Sequence, residues 1–225
     1  MNHIRFLSTI RSKNSATRNY MKQQLQDEFA KKAREHNYRA RSAFKLQEMD
    51  EKFKLFRAGD VVVDVGAAPG SWTQYLVERV HDRQRRGFVL GVDLKLIQPV
   101  VGATFLGQCD ITKKETHDKI VECIGDRLVD AVISDMAPNP SGDKQTDQIR
   151  LVELCRMVVQ LISTPNVIHL KEDGKFLCKV WEGNSRKELT EELKTKFEIV
   201  KTIKPKACKD DSAELYILAK NPIKH

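Results

Sequence analysis

Cysteine pairing patterns are absent. The 225-residue chain has five cysteines, at positions 109, 123, 155, 178 and 208, an odd number without a C-x-x-C pair. This argues against a disulfide framework or a zinc site. The six histidines, at 3, 36, 81, 117, 169 and 225, stand at no metal-ligand spacing to another ligand type, so they read as surface or core residues and no metal is expected. Long hydrophobic runs are missing: no window approaches the ~18 consecutive apolar residues of a membrane span. No Gly/Ser/Pro-rich linker, low-complexity tract or internal repeat interrupts residues 60–220, where strand and helix patterns alternate. The expectation is one globular domain with a full core.

Acid is absent from residues 1–26, which carry Arg5, Arg11, Lys13, Arg18 and Lys22 among Ser, Thr and Asn. Ile4, Leu7 and Ile10 follow i, i+3, i+6 with arginines between them, which permits the short amphipathic helix of a mitochondrial targeting segment; a secretory signal would need an apolar core that is not there. A basic arm touching RNA is the competing reading. Residues 1–59 hold 14 Lys/Arg against 6 Asp/Glu, whereas the remaining 166 hold 25 of each. The net charge of +8 thus sits in the first quarter of the chain, beside a neutral body. That placement suggests a nucleic-acid partner, the plainer alternative being a solvated helical face.

What the sequence does contain is Asp64-Val65-Gly66-Ala67-Ala68-Pro69-Gly70-Ser71-Trp72, preceded by Val61, Val62 and Val63 and followed by apolar residues at helical spacing, Trp72, Tyr75, Leu76 and Val80. A buried strand turns sharply into a helix through a glycine-bearing loop. A dinucleotide site would show G-x-G-x-x-G to bring a pyrophosphate onto the helix N-terminus. The spacing here is D-x-G-x-x-x-G, which suits an adenosyl ligand with an amino-acid tail, S-adenosylmethionine; a glycine turn of any α/β protein is the alternative. Phe88-Val89-Leu90-Gly91-Val92-Asp93 is an apolar strand ending in an acid whose two oxygens match a ribose diol. After a third strand at 104–106, Asp110 is either an acceptor for an adenine amino group or the cap of a helix beginning near Thr112.

A fourth strand, 128–135, ends at Asp135, and a fifth, 175–181, carries Lys179 in apolar surroundings. A lysine there either snorkels from the sheet edge or is held by a partner, for which Asp135 is placed. The last strands are expected at 197–203 and 214–219 as an antiparallel hairpin that starts its second strand at Glu214. Lys45 lies on a helix before the first strand, anchored by Phe44, Leu46 and Met49; taken alone it reads as a solvated lysine.

These residues resemble the FtsJ/RrmJ-type RNA ribose 2′-O-methyltransferases over roughly 29–220. The motifs are Arg39-Ala40-Arg41-Ser42-Ala43-Phe44-Lys45-Leu46, the loop 64–72, Ser134-Asp135-Met136-Ala137-Pro138-Asn139, Lys179, and Ser212-Ala213-Glu214-Leu215-Tyr216. The resemblance implies an α/β fold, a Rossmann-like S-adenosylmethionine-dependent methyltransferase with a seven-stranded, mostly parallel sheet and a C-terminal antiparallel hairpin. It places a catalytic tetrad on Lys45, Asp135, Lys179 and Glu214, and cofactor contacts on Pro69, Gly70, Ser71, Trp72, Asp93, Asp110, Ile111 and Asp135. With the targeting segment or basic arm over 1–26, the expected organisation is one methyltransferase domain over 27–225, with an RNA-facing helical extension at 27–59 and the core at 60–225. Gly87 to Leu94, Gly102 to Leu106 and Phe176 to Lys179 look most like the mitochondrial branch. The implied substrate is a uridine ribose in the peptidyl-transferase region of mitochondrial large-subunit rRNA, or a pre-ribosomal particle, in the matrix. A cytosolic tRNA anticodon-loop enzyme and a non-catalytic ribosome-assembly factor are the alternatives. The loop 204–211 departs from the pattern, because lysines and two acids stand where bacterial relatives are richer in arginine.

Overall fold

The structure, a computed structural model, describes residues 27–163, 167–208 and 212–223. The segment 1–26, on which the targeting expectation falls, lies outside them. Seven strands form one sheet in the order β3-β2-β1-β4-β5-β7-β6. β1 (Val61–Val65), β2 (Phe88–Val92), β3 (Thr104–Leu106), β4 (Val129–Ser134) and β5 (Leu170–Trp181) are parallel. β7 (Glu214–Pro222) runs antiparallel between β5 and β6 (Phe197–Ile203), as expected of the terminal hairpin.

Two apolar layers cover the sheet. α1 (Glu28–Glu35) leads to α2 (Ala43–Phe53), which with α3 (Ser71–Val80) covers one face through Leu46, Met49, Trp72 and Leu76. α4 (Lys114–Ile124), α5 (Lys144–Ser163) and α6 (Asn184–Lys194) cover the other through Ile120, Val152, Val158 and Leu193. Fully burying one such aliphatic side chain contributes about 1.5–3 kcal/mol, which is what holds a helix carrying Lys45 against the sheet. The buried Asp50 fixes where α2 stops: one oxygen accepts the Leu55 and Phe56 N–H groups, the other accepts the Tyr75 hydroxyl at 2.7 Å and Arg79 Nε at 2.8 Å.

Several boundaries differ from the sequence expectation: β4 is a residue shorter at each end than 128–135, and β7 runs on to Pro222 rather than 219. β5 begins at Leu170, not Lys175, because a register shift on β4 lets Val129 pair with Leu170 and Ala131 with Lys175. The extra residues include Glu172, Asp173 and Gly174, which carry no alternating apolar signal. α4 begins at Lys114 rather than near Thr112. Among the described residues no helix is long and apolar enough to cross a membrane.

Candidate active site

Parallel strands deliver their carboxyl ends to one edge, and the expected tetrad gathers there. Asp135 follows the last residue of β4, and Lys179 sits near the end of β5. Glu214 opens β7 opposite Trp181, and α2 brings Lys45 across. Lys45 Nζ donates to Glu214 Oε1 at 2.5 Å. Lys179 Nζ donates to the Asp135 carbonyl at 2.7 Å and lies 3.3 Å from Asp135 Oδ1. The four residues therefore form two ion pairs, each largely withdrawn from solvent.

Tyr216 joins the pairs, a role no sequence pattern marked. Its hydroxyl lies 2.8 Å from Asp135 Oδ1 and 2.9 Å from Glu214 Oε1, and its ring is fully buried against Trp72 at 5.7 Å between centroids. One hydroxyl proton serves two carboxylates. Burial, and then the Asp135 and Glu214 charges, push the phenol well above its ordinary value, so it stays a donor. Burial works to raise the Glu214 carboxyl, but Lys45, Lys179 and the Tyr216 hydroxyl together hold it below the ordinary range. Cys208 Sγ lies 3.3 Å from the same Glu214 oxygen, and burial first, then the Glu214 charge, push that thiol up to about 12.

The loop after β1 has a full hydrogen-bond inventory. The N–H groups of Gly66 and Ala67 donate to the Val92 carbonyl, that of Ala68 to Asp93 Oδ2, and that of Gly70 to the Ala67 carbonyl. Pro69 has none. No amide from 66 to 70 is left to wrap a phosphate, which agrees with the absent pyrophosphate motif. Beneath it Asp64 is fully buried; Oδ2 accepts the Thr73 hydroxyl at 2.7 Å, and Oδ1 has no partner. Burial first, with the Asp135 and Asp93 charges adding and the Thr73 hydrogen bond opposing, pushes Asp64 up to about 7. Three carboxylates thus converge on the loop.

The two glycines make room for other parts of the protein. At Gly66 (φ 82°) a Cβ would lie 2.4 Å from Met136 Cγ, so the missing side chain lets the segment after β4 close on β1. At Gly70 (φ 104°) a Cβ would lie 2.6 Å from Arg39 Nη1. Arg39 fills that space: Nη1 donates to the Pro69 and Gln98 carbonyls at 2.9 and 2.6 Å, and Nη2 to the Pro99 carbonyl at 2.8 Å. The guanidinium ties the loop after β1 to the loop after β2. The side chains of Ser71 and Trp72 also face protein. Ser71 Oγ pairs with Ser42 Oγ at 2.8 Å, and Trp72 Nε1 donates to the Ser42 carbonyl at 2.8 Å.

Asp93 directly follows β2 and Asp110 stands four residues past the end of β3, and the Cys109 N–H donates to the Asp93 carbonyl between them. The Asp93 carboxylate accepts Ala68 N–H and Lys95 N–H, at 2.9 and 2.7 Å. Each oxygen keeps a second lone pair for a diol. Asp110 caps no helix: it accepts the Thr112 N–H in a local turn at 2.9 Å, and that bond holds its carboxyl below the ordinary value. Ile111 is buried beside it.

The extension 27–59 is partly structural. Arg41 pairs with Asp27 and donates to the Ala207 carbonyl, while Glu48 accepts the Lys206 and Ala207 N–H groups. With Arg39 engaged as above, both arginines of the Arg-Ala-Arg run fasten loops of the core, Arg39 from an exposed position.

A seven-stranded sheet with β7 reversed between β5 and β6, an acid-floored loop after β1 and a Lys/Asp/Lys/Glu cluster at the carboxyl edge define a Rossmann-like methyltransferase. More narrowly, the chain belongs to the FtsJ-like methyltransferase family, whose model matches residues 38–222. It is 51% identical over 202 residues to the rRNA methyltransferase 2, mitochondrial, of Caenorhabditis elegans, covering 90% of this chain and 92% of that one. It is 39% identical over 201 residues to the ribosomal RNA large subunit methyltransferase E of Dechloromonas aromatica (strain RCB), covering 89% and 94%. A crystal structure of a ribosomal RNA methyltransferase from Plasmodium falciparum superposes with TM-score 0.73 at 27% identity, over 84% of this chain and all of that one.

Proposed function

We propose that this methyltransferase uses S-adenosylmethionine to methylate a ribose 2′-hydroxyl in large-subunit rRNA of the mitochondrion. The observation that carries the chemistry is the pair of lysine–carboxylate contacts joined through Tyr216 at the carboxyl edge. The substrate and compartment rest on likeness to the worm and bacterial enzymes, whose names specify mitochondrial and large-subunit rRNA methylation. The site suits the cofactor. Asp64, Asp93 and Asp135 around a loop whose amides at 66, 67, 68 and 70 are already engaged favour a cation. Asp93 and Asp110 would hold the ribose and adenine, with Ile111 against the base, the stretch Pro69 to Trp72 against the methionine portion, and Asp135 facing its ammonium. When bound, S-adenosylmethionine supplies a methyl group on a positively charged sulfur that departs as a neutral thioether.

The chain's own task is to orient and deprotonate the hydroxyl. Lys179 serves as base in its free-amine form, taking the hydroxyl proton to become the ammonium as charge develops on oxygen, and Asp135 fixes the lysine through two contacts at its Nζ. Lys45 and Glu214 position the ribose, and the hydroxyl must be held within ~3 Å of the carbon it attacks. Mapping ribose methylation of mitochondrial rRNA and cytosolic tRNA in cells lacking the protein tests the reading. Loss of one rRNA mark, restored by wild type and not by Lys179→Ala, is the expected result; loss of a tRNA mark, or of none, refutes it.

Arg39→Lys keeps the charge but loses the fork that spans two loops. The expected result is a cofactor KM raised about tenfold, equivalent to ~1.4 kcal/mol, with kcat little changed. Unchanged KM would show that the clamp has no bearing on the cofactor.

Asp64 predicts a pH dependence. Below about pH 4 the carboxyl is neutral in folded and unfolded chains alike. Between there and about 7 the unfolded chain ionises while the folded one keeps its proton, so stability falls as pH rises and then levels off. Asp64→Asn should flatten this decline in urea titrations across the same window. A cation bound at the loop favours the ionised acid, so cofactor binding in that window should release a proton, detectable by calorimetry in buffers of different ionisation enthalpy. No difference between wild type and Asp64→Asn in either measurement would remove Asp64 from the cofactor site.

A further inference from the structure

The amino end of the sheet, opposite the tetrad, carries a cluster of cations that the methyl-transfer site does not use. Lys175 and Lys220 face each other across β5 and β7, and Arg57 precedes β1. Lys201 of β6 lies over the Phe53 ring, and Lys220 Nζ donates to the Phe53 carbonyl at the end of α2. Arg85, from the loop between α3 and β2, packs its side chain at Gly59. An open cavity of about 390 Å³ lies here, lined by Arg57, Arg85 and Lys171 among others. Of these six cations only Lys171 has a carboxylate within ion-pair distance among the described residues, and it is Asp130.

Asp60, Asp130 and the exposed Asp173 line the same cavity, and the first two are engaged. Asp130 also accepts the Val61 N–H, and Asp60 accepts the Arg57 N–H. Lys175 is 8% exposed and has neither a hydrogen-bond nor an ion-pair partner among the described residues, which is costly for an ammonium. Burial, and then Lys175, Lys201 and Arg57, push the Lys220 ammonium below its ordinary value, so the group repels itself at close range. Such an arrangement is relieved when an anion sits among the charges. Lys175 shares a face of β5 with Lys179 four residues away, ~13 Å along the strand, so the cluster is well separated from the reacting edge but on the same molecule-wide path.

We propose that this amino-end cluster is a second polyanion-binding surface that takes the phosphodiester backbone of the RNA substrate away from the ribose being methylated. It rests on the reading above only in taking RNA as the occupant. Arg57 and Arg85, from loops, present planar forks to phosphate oxygens, and Lys201 adds a point charge from the outer strand. The buried Lys175 and Lys220 raise the potential beneath them. The surface reads no sequence: it anchors a large folded RNA, while the tetrad edge selects the nucleotide.

The test is the triple variant Arg57→Gln, Arg85→Gln, Lys201→Gln, all exposed side chains outside the tetrad and the cofactor loop. Binding of a large-subunit rRNA fragment is followed across a salt series, with cofactor binding and thermal unfolding as controls. The expected result is affinity weakened about tenfold or more and a log–log salt slope shallower by about 2 to 3, at ~0.7–0.9 per lost phosphate contact. Cofactor affinity and unfolding temperature should match wild type. Unchanged RNA affinity and slope overturn the proposal, as does wild-type protein that binds no RNA. Because binding is read without methylation, the surface stands if the variant loses RNA affinity even where no methyl transfer to that fragment is found; that outcome would fault only the substrate reading.

Discussion

Lys179→Ala should lower the rate of methyl transfer by about 10²- to 10⁴-fold, the usual loss when a positioned proton acceptor is removed. Cofactor affinity should change little, because Lys179 touches Asp135 and not the loop after β1. Removing the ammonium leaves Asp135 with Tyr216 as its remaining side-chain partner, so the variant should fold. Single-turnover methylation of an rRNA transcript, with cofactor binding measured in parallel, decides the matter. A variant that binds cofactor normally and methylates at the wild-type rate removes Lys179 from the mechanism. Lys179→Arg is the sharper companion: it keeps a cation beside Asp135 but cannot accept a proton near neutral pH, and it should be as inactive as the alanine variant. If arginine restored activity, charge alone would be what the site needs.

Tyr216→Phe should carry the next largest effect, although its hydroxyl need never touch substrate. The substitution keeps the buried ring against Trp72 and deletes the one group that bridges Asp135 Oδ1 and Glu214 Oε1. Each carboxylate retains its lysine, but two half-buried acceptors lose a donor, at a cost of about 1 kcal/mol of stability. With nothing between them, the two ion pairs are free to shift relative to one another. Turnover should therefore fall by roughly tenfold to a hundredfold, since small misplacements of reacting groups are costly. A merely structural tyrosine would lower the unfolding temperature and leave kcat of the folded enzyme unchanged. The expected signature is a reduced kcat at temperatures where the variant is fully folded, with cofactor KM near wild type.

How much of this was legible beforehand depended on whether the residue advertised its position locally. The loop Asp64 to Trp72 could be read because a β-branched run, two glycines and a helical repeat are contiguous. Asp135 could be read because it ends an apolar strand, and Lys179 because a lysine in such a strand demands a partner. Lys45 and Glu214 entered through resemblance, since a helix lysine and a strand-opening glutamate are each unremarkable alone. Tyr216 was hidden, because an aromatic residue in a β-strand reads as core and its ring is indeed core; only the register of β7 against β5 carries its hydroxyl to both acids. Arg39 reads in the sequence as one more basic residue of the extension, and only the fold shows its fork engaged by three carbonyls.

The chain's linear pattern marked the alternation of strands and helices and the glycine loop and strand-end acids from which the site and cofactor are read, because each lies in a contiguous stretch with its own periodicity. Tertiary structure alone decided what the glycines make room for, which cations are consumed and which stand unpaired, and how two ion pairs become one network. Those outcomes rest on contacts between segments as distant as Lys45 and Glu214, whose ammonium and carboxylate meet at 2.5 Å across the fold. Partners so far apart in sequence leave no local signature, since their geometry is set by strand register and by packing of helices on the sheet.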